Sequence, residues 1–171
     1  MQKEVAMIKR GFLRGLFLVV LLATLVVLPS GVKASSDVER KAVYHCDFGN
    51  PKRMDAMLRN IYNLVNYYTT KGISYDVRVV SNSACVQFLL KDRKGTKFES
   101  KKIPPKLEKS IRERMQSLVD GYDVKFEQCD ITLKRTNTPK SKLKPFVSIV
   151  NSGQVRVVEL EDKGYAYIKV K

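Results

Sequence analysis

The sequence has one histidine, His45, and three cysteines, Cys46, Cys85 and Cys129, separated by 39 and 44 residues. No two cysteines form the close CxxC pair of structural zinc sites, so no metal or other cofactor is expected. Internal repeats and low-complexity stretches are absent. Acid is scarce too: 17 Asp and Glu stand against 32 Lys and Arg, a net charge of +15. That excess invites a nucleic-acid partner, but the basic residues are not interleaved with aromatics as single-strand binding requires, and none is expected. The densest basic stretch, KDRKGTKFESKK (91–102), also holds Asp92 and Glu99 and reads as a solvated polar loop, with an anion-attracting patch as the alternative.

Long hydrophobic runs are also few. The longest, Leu16 to Leu28, has 13 residues, about 20 Å as a helix at ~1.5 Å per residue, short for a ~30 Å bilayer core. Lys3, Lys9, Arg10 and Arg14 precede it, and Pro29 and the small-residue site Val32-Lys33-Ala34 follow. The pattern predicts a signal peptide over residues 1–34, cleaved after Ala34, and an exported, periplasmic protein. An uncleaved anchor is the only membrane attachment the pattern allows. The 137 residues that follow carry 27 basic and 16 acidic residues, a charge of +11, and suit one domain over 35–171. In an oxidising compartment three cysteines allow at most one internal disulfide and leave at least one thiol.

From Arg40 onward, short β-branched or aromatic runs alternate with helical patterns. KAVYHCD (41–47), YDVRVVS (75–81), DVKFEQ (123–128), PFVSIV (145–150) and YAYIKV (165–170) read as strands. Asn50-Pro51 starts a helix whose apolar face runs from Met54 to Tyr68 and ends at Lys71-Gly72. SACVQFLLKD (83–92), a segment from Pro104-Pro105 to Gly121, and GQVRVVELEDKG (153–164) are expected helices, the last despite β-branched residues that also suit a strand. This alternation predicts an α/β fold: a three-layer α/β/α arrangement around a mainly parallel five-stranded sheet.

Each cysteine falls at or just past the carboxyl end of a strand, where open parallel sheets place their chemistry. If those strands are neighbours, the three sulfurs line one edge. Cys46 and Cys85 are equally readable as buried apolar fillers. Cys129 begins a helical pattern, where free N–H groups and the helix dipole favour a thiolate, with Lys134 and Arg135 further along. His45 and Cys46 are adjacent in a strand and so point to opposite faces.

KAVYHCD with LRNIYNLVNYY, VRVVSNSACVQFLL, FEQCDITLKR and SGQVRVVELEDKGYAYIK, in that order, resemble the DsrE/DsrF-like family of sulfur-relay proteins. The resemblance implies a five-stranded α/β/α sheet, assembly into trimers or hexamers, and, in the relay branches, a persulfide-carrying cysteine after the third strand. Cys129 occupies that place. Many relatives have His-Gly where this chain has Asn82-Ser83, and a Gly where it has Asp130, a carboxylate that opposes thiolate formation. The expected function is an exported sulfur carrier or sulfurtransferase-like protein: Cys129 holds sulfane sulfur and passes it to a partner thiol. Cys85 and Cys46 are candidate accessory thiols, and His45, Asn82, Ser83 and Asp130 candidate pocket residues. Two alternatives stand: a noncatalytic oligomeric protein of the same fold that binds a ligand or partner, and a metal protein using the three cysteines and the histidine.

Overall fold

The computed structural model describes residues 38–170; the expected signal segment lies outside them. Five strands, β1 (Arg40–Cys46), β2 (Tyr75–Ser81), β3 (Lys125–Cys129), β4 (Val147–Val150) and β5 (Ala166–Lys169), form one sheet in the order β4-β3-β2-β1-β5. Every pairing is parallel. The helices are α1 (Pro51–Lys71), α2 (Val86–Leu89), α3 (Pro105–Tyr122), α4 (Asp130–Arg135) and α5 (Gly153–Asp162). The three-layer α/β/α expectation therefore holds, with a sheet that is wholly parallel.

Local chemistry sets the helix limits. The Asn50 side chain accepts from the amides of Lys52 and Arg53, and Gly72, with φ of 66°, ends α1 in the left-handed conformation that glycine adopts without a Cβ clash. Ser152 caps α5 by accepting from Val155 N–H, and the segment is helical despite its three valines. One expected helix is shorter than its pattern. Residues 83–92 form a 3-10 turn (Ser83–Cys85) and the single turn of α2, because Leu90 turns extended to bridge Leu143.

The two faces of the sheet are covered differently. Ala42, Tyr44, Val77, Val79 and Phe126 meet α1 and α3 through Met54, Met57, Leu58, Ile61, Met115 and Leu118, forming the large apolar cluster. The alternate residues Val43 and Val80 meet Val157 and Leu160 of α5 and Tyr165 in a small one. That alternation is the two-residue period of strand side chains. The first face is sealed by long helices, whereas the second is spanned by the ten residues of α5.

Candidate functional site

Register decides where the three sulfurs point. Cys46 pairs with Ser81 and Ser81 with Gln128, so these three share a row on the α1/α3 face. Cys129, one residue past Gln128, is turned to the α5 face. Cys46 and Cys85 are bonded to each other, with Cα atoms 5.7 Å apart and both residues fully buried in the large cluster. Cys129 is the free thiol among the described residues. All three lie at one end of the sheet, but the expectation that they line one edge as potential partners is corrected: strand alternation sends the disulfide and the thiol to opposite faces. In this oxidised form neither Cys46 nor Cys85 is a thiol available to Cys129, and the accessory role expected for them is replaced by a structural one. The four-ligand metal set is likewise not assembled.

The thiol face is built by two helix starts. β3 ends at Cys129 and leads into α4, whose Leu133 packs in the large cluster, while β4 leads into α5 on the other face. Connections from neighbouring strands thus diverge at β3 and β4, the arrangement that opens a crevice at a parallel sheet. Gly153, the first residue of α5, comes so close that a Cβ there would lie 3.2 Å from Cys129 Cβ and 3.4 Å from Asn82 Cβ. A side chain at position 153 would fill the crevice.

Burial pushes the Cys129 thiol up, since a thiolate is poorly solvated there, but polar donors more than offset it. The amide N–H of Gly153, the amide and hydroxyl of Thr132 and the amide of Ile131 are directed at the sulfur and hold its pKa below the ordinary cysteine value. The residue is 5% exposed, and donors reach its sulfur from the starts of both α4 and α5. Asp130, expected to oppose ionisation, is occupied: Lys134 lies 2.8 Å and Lys140 2.9 Å from its carboxylate oxygens. Hydrogen bonding to these two ammonium groups holds the carboxyl below its ordinary range, and their charges neutralise its influence on the sulfur.

His45 and Asn82 share this face, and Ser83 follows in the same loop. His45 Nε2 lies 3.2 Å from Asn82 Oδ1 and its Nδ1 lies 3.3 Å from the Tyr167 hydroxyl. An amide oxygen only accepts, so Nε2 carries the proton and Nδ1 accepts from Tyr167. Ser83 has φ of 48°, and its N–H donates to Thr132 Oγ1 at 3.1 Å, tying the Asn82 loop to α4. Gly153, Thr132 and Tyr167 were not singled out from the sequence. The FEQCDIT and NSG segments place the first two at helix starts, but nothing local marks Tyr167 as a partner of a residue 122 positions away.

Beneath α5 lies a charge network. Glu127, its side chain 4% exposed, accepts from Arg78 at 2.7 Å and from Arg156 at 2.7 and 2.9 Å. Arg78 also donates to Asp76 at 2.8 Å and to the Tyr165 hydroxyl at 3.1 Å. Arg156 belongs to α5, so this network fixes the helix whose first residue faces Cys129. Among the described residues no helix is long and apolar enough to cross a membrane.

The comparisons with known proteins agree with this architecture. An uncharacterized protein of Aquifex aeolicus (strain VF5) is 26% identical over 129 residues, 75% of this chain and 55% of that protein. The chain thus spans about half the length of the curated relative it matches. A solved protein of unknown function from Methanobacterium thermoautotrophicum covers 77% of this chain and 99% of its own, with a TM-score of 0.59 and 22% identity, a likeness of fold alone. The family model for DsrE/DsrF-like proteins matches residues 42–170, from within β1 to the end of the described chain and through Cys129, and the chain belongs to the DsrE/DsrF-like family.

Proposed function

We propose that this protein carries sulfane sulfur on Cys129. The observation that supports this reading is the convergence of three backbone amides and a hydroxyl on one sulfur, an arrangement that stabilises the thiolate, the nucleophile of sulfur transfer. The Cys129 thiolate attacks the outer sulfur of a donor persulfide, the donor S–S bond breaks, and the donor leaves as its thiolate. The proton stays with the transferred sulfur, and no electron is gained or lost overall. An acceptor thiolate then attacks the outer sulfur and regenerates the Cys129 thiolate, the ordinary exchange reaction of thiols. His45, Asn82 and Ser83 form the wall of the site, and the acceptor thiol belongs to a partner, since Cys46 and Cys85 are bonded to each other on the far face.

The proposal includes export, supported by the basic-then-apolar start of the chain and by the internal disulfide, which persists in oxidising compartments. It also includes assembly of several copies, supported by exposed apolar side chains at Ile131, Val155, Val158 and Tyr167 on and around the thiol face. The test is mass spectrometry of the purified protein after polysulfide treatment. The expected result is one added sulfur atom on Cys129, removed by reductant and missing from Cys129→Ala. An unmodified Cys129 in folded protein overturns the reading.

A further inference from the structure

The basic stretch that the sulfur chemistry does not use becomes, in three dimensions, part of a cavity. Residues 91–112 hold nine Lys and Arg against three carboxylates, and residues 140–144 add three lysines and no acid. The fold brings the two segments together: Leu90 bridges Leu143, Lys91 N–H donates to Lys142 O, and Lys144 N–H donates to Leu89 O. Between these segments and α3 lies a cavity of about 50 Å³ lined in part by Arg93, Glu108, Arg112 and Lys144.

The charges lining it do not balance. Asp92, also in the lining, is paired with Lys142 at 2.8 Å. Glu108 then stands as the one carboxylate for four lining cations, Lys91, Arg93, Arg112 and Lys144; it is bound by Arg93 at 2.6 Å, and Lys91 donates to Ser141 O at 3.0 Å. Arg112 has no ion-pair partner among the described residues. The Lys144 ammonium donates to the carbonyls of Phe88 and Leu90, which accounts for two of its three N–H groups. Arg93 Nε is buried with no hydrogen-bond partner. Burial, together with Arg112 and Arg93 and against Glu108, brings the Lys144 pKa down to about 8, as expected where cations crowd without a counter-ion. Four cations less one carboxylate leave three positive charges, with guanidinium and ammonium donors unspent.

We propose that this cavity is a binding site for a small tetrahedral dianion of the sulfate or hydrogen-phosphate type. Arg93 and Arg112 supply directional guanidinium donors and Lys144 a point charge, the combination that recognises oxyanions. The site is separate from Cys129 and does not depend on the sulfur-carrying reading.

The test is calorimetric titration of the full chain with sodium sulfate and with sodium phosphate at constant ionic strength, chloride and acetate serving as controls. Saturable one-to-one binding of the dianions is expected, with no matching response to the controls. Lys144→Gln and Arg112→Gln should each weaken it by roughly tenfold, the usual scale for losing one charged contact. A bound dianion also raises the Lys144 pKa, so at pH about 8 it should slow modification of Lys144 by an amine reagent. Arg112 is exposed on α3, so its variant keeps the fold and decides the matter even if Lys144→Gln does not fold. A sulfate response equal to that of chloride, or wild-type affinity in Arg112→Gln, overturns the proposal.

Discussion

The two faces of this sheet use sulfur in opposite ways. On the α1/α3 face Cys46 and Cys85 are joined, fully buried and surrounded by apolar side chains. On the α5 face, one residue past the same cross-strand row, Cys129 is a free thiol ringed by N–H and O–H donors. Strand alternation separates them, and the unequal helix cover gives each its environment. The comparison teaches that position at the end of a strand does not decide what a cysteine does. The face it points to decides whether it is bonded within the apolar core or left as a free thiol among polar donors.

The largest effect should come from cutting the staple. Closing a loop of 39 residues removes chain entropy worth about 4 kcal/mol by the loop-closure estimate. Cys46→Ala with Cys85→Ala should lower unfolding stability by roughly that amount in a urea titration. If the faces are separable, the folded double variant still takes up one sulfur atom on Cys129. Loss of that uptake in folded protein would show that the far face controls the near one.

A smaller effect, confined to the thiol face, is expected from Glu127→Gln. It leaves Arg78 and Arg156 facing a neutral amide under α5 and should cost roughly 3 kcal/mol, the scale for removing one partner of a buried ion pair. The same carboxylates make stability pH-dependent. Burial pushes Glu127 and Asp76 up, but hydrogen bonds from Arg156 and Arg78 to the first, and from Arg78 and Tyr165 to the second, hold both below their ordinary values. The unfolded chain then binds protons at a higher pH than the folded one. The stabilisation is complete above the unfolded values of about 4 and is lost as pH falls through the folded ones. Urea midpoints measured from neutral pH downward should fall steeply below pH ~4 in wild type and less steeply in Glu127→Gln.

The next probe bears on the sulfur itself. Because donors hold the Cys129 pKa below the ordinary value, its alkylation by iodoacetamide should reach half-maximal rate below the ~8.5 of a free thiol. Gly153→Ala places a Cβ 3.2 Å from Cys129 Cβ and should slow alkylation while costing about 1 kcal/mol of overpacking. The same substitution at Gly121, where a Cβ meets nothing within 4 Å, should leave alkylation unchanged. Equal rates in the two variants would refute the close approach of α5 to the site.

Much of this arrangement was legible in the sequence, and what was not has a physical reason. Asn50-Pro51 and Lys71-Gly72 mark the ends of α1 because capping is local chemistry, and alternation alone foretold that His45 and Cys46 diverge. Cys129 was identifiable because a cysteine between a strand pattern and a helical one must sit at a helix start. The pairing of Cys46 with Cys85 was not, since three cysteines allow three pairings and only strand order selects one. Neither was the neutralisation of Asp130 by Lys140, ten residues away beyond a turn at Asn137. The helical pattern over 83–92 overstated α2, because a tertiary bridge from Leu90 to Leu143 overrides local preference.

The smallest effect concerns the loop that meets both faces. Ser83 sits between Asn82 on the thiol side and Cys85 on the disulfide side, and its φ of 48° is the left-handed conformation, which costs a residue with a Cβ roughly 1 kcal/mol. Glycine is the residue that adopts this conformation freely. Ser83→Gly relieves that cost but adds freedom to the unfolded chain and gives up the marginal 3.5 Å contact from Arg135 to Ser83 Oγ. The N–H donated to Thr132 Oγ1 is backbone and survives the change. A net gain of no more than about 0.5 kcal/mol is therefore expected, with the alkylation rate of Cys129 unaltered. A loss of stability beyond about 1 kcal/mol would mean that the Ser83 side chain, rather than its backbone, holds the loop between the two faces.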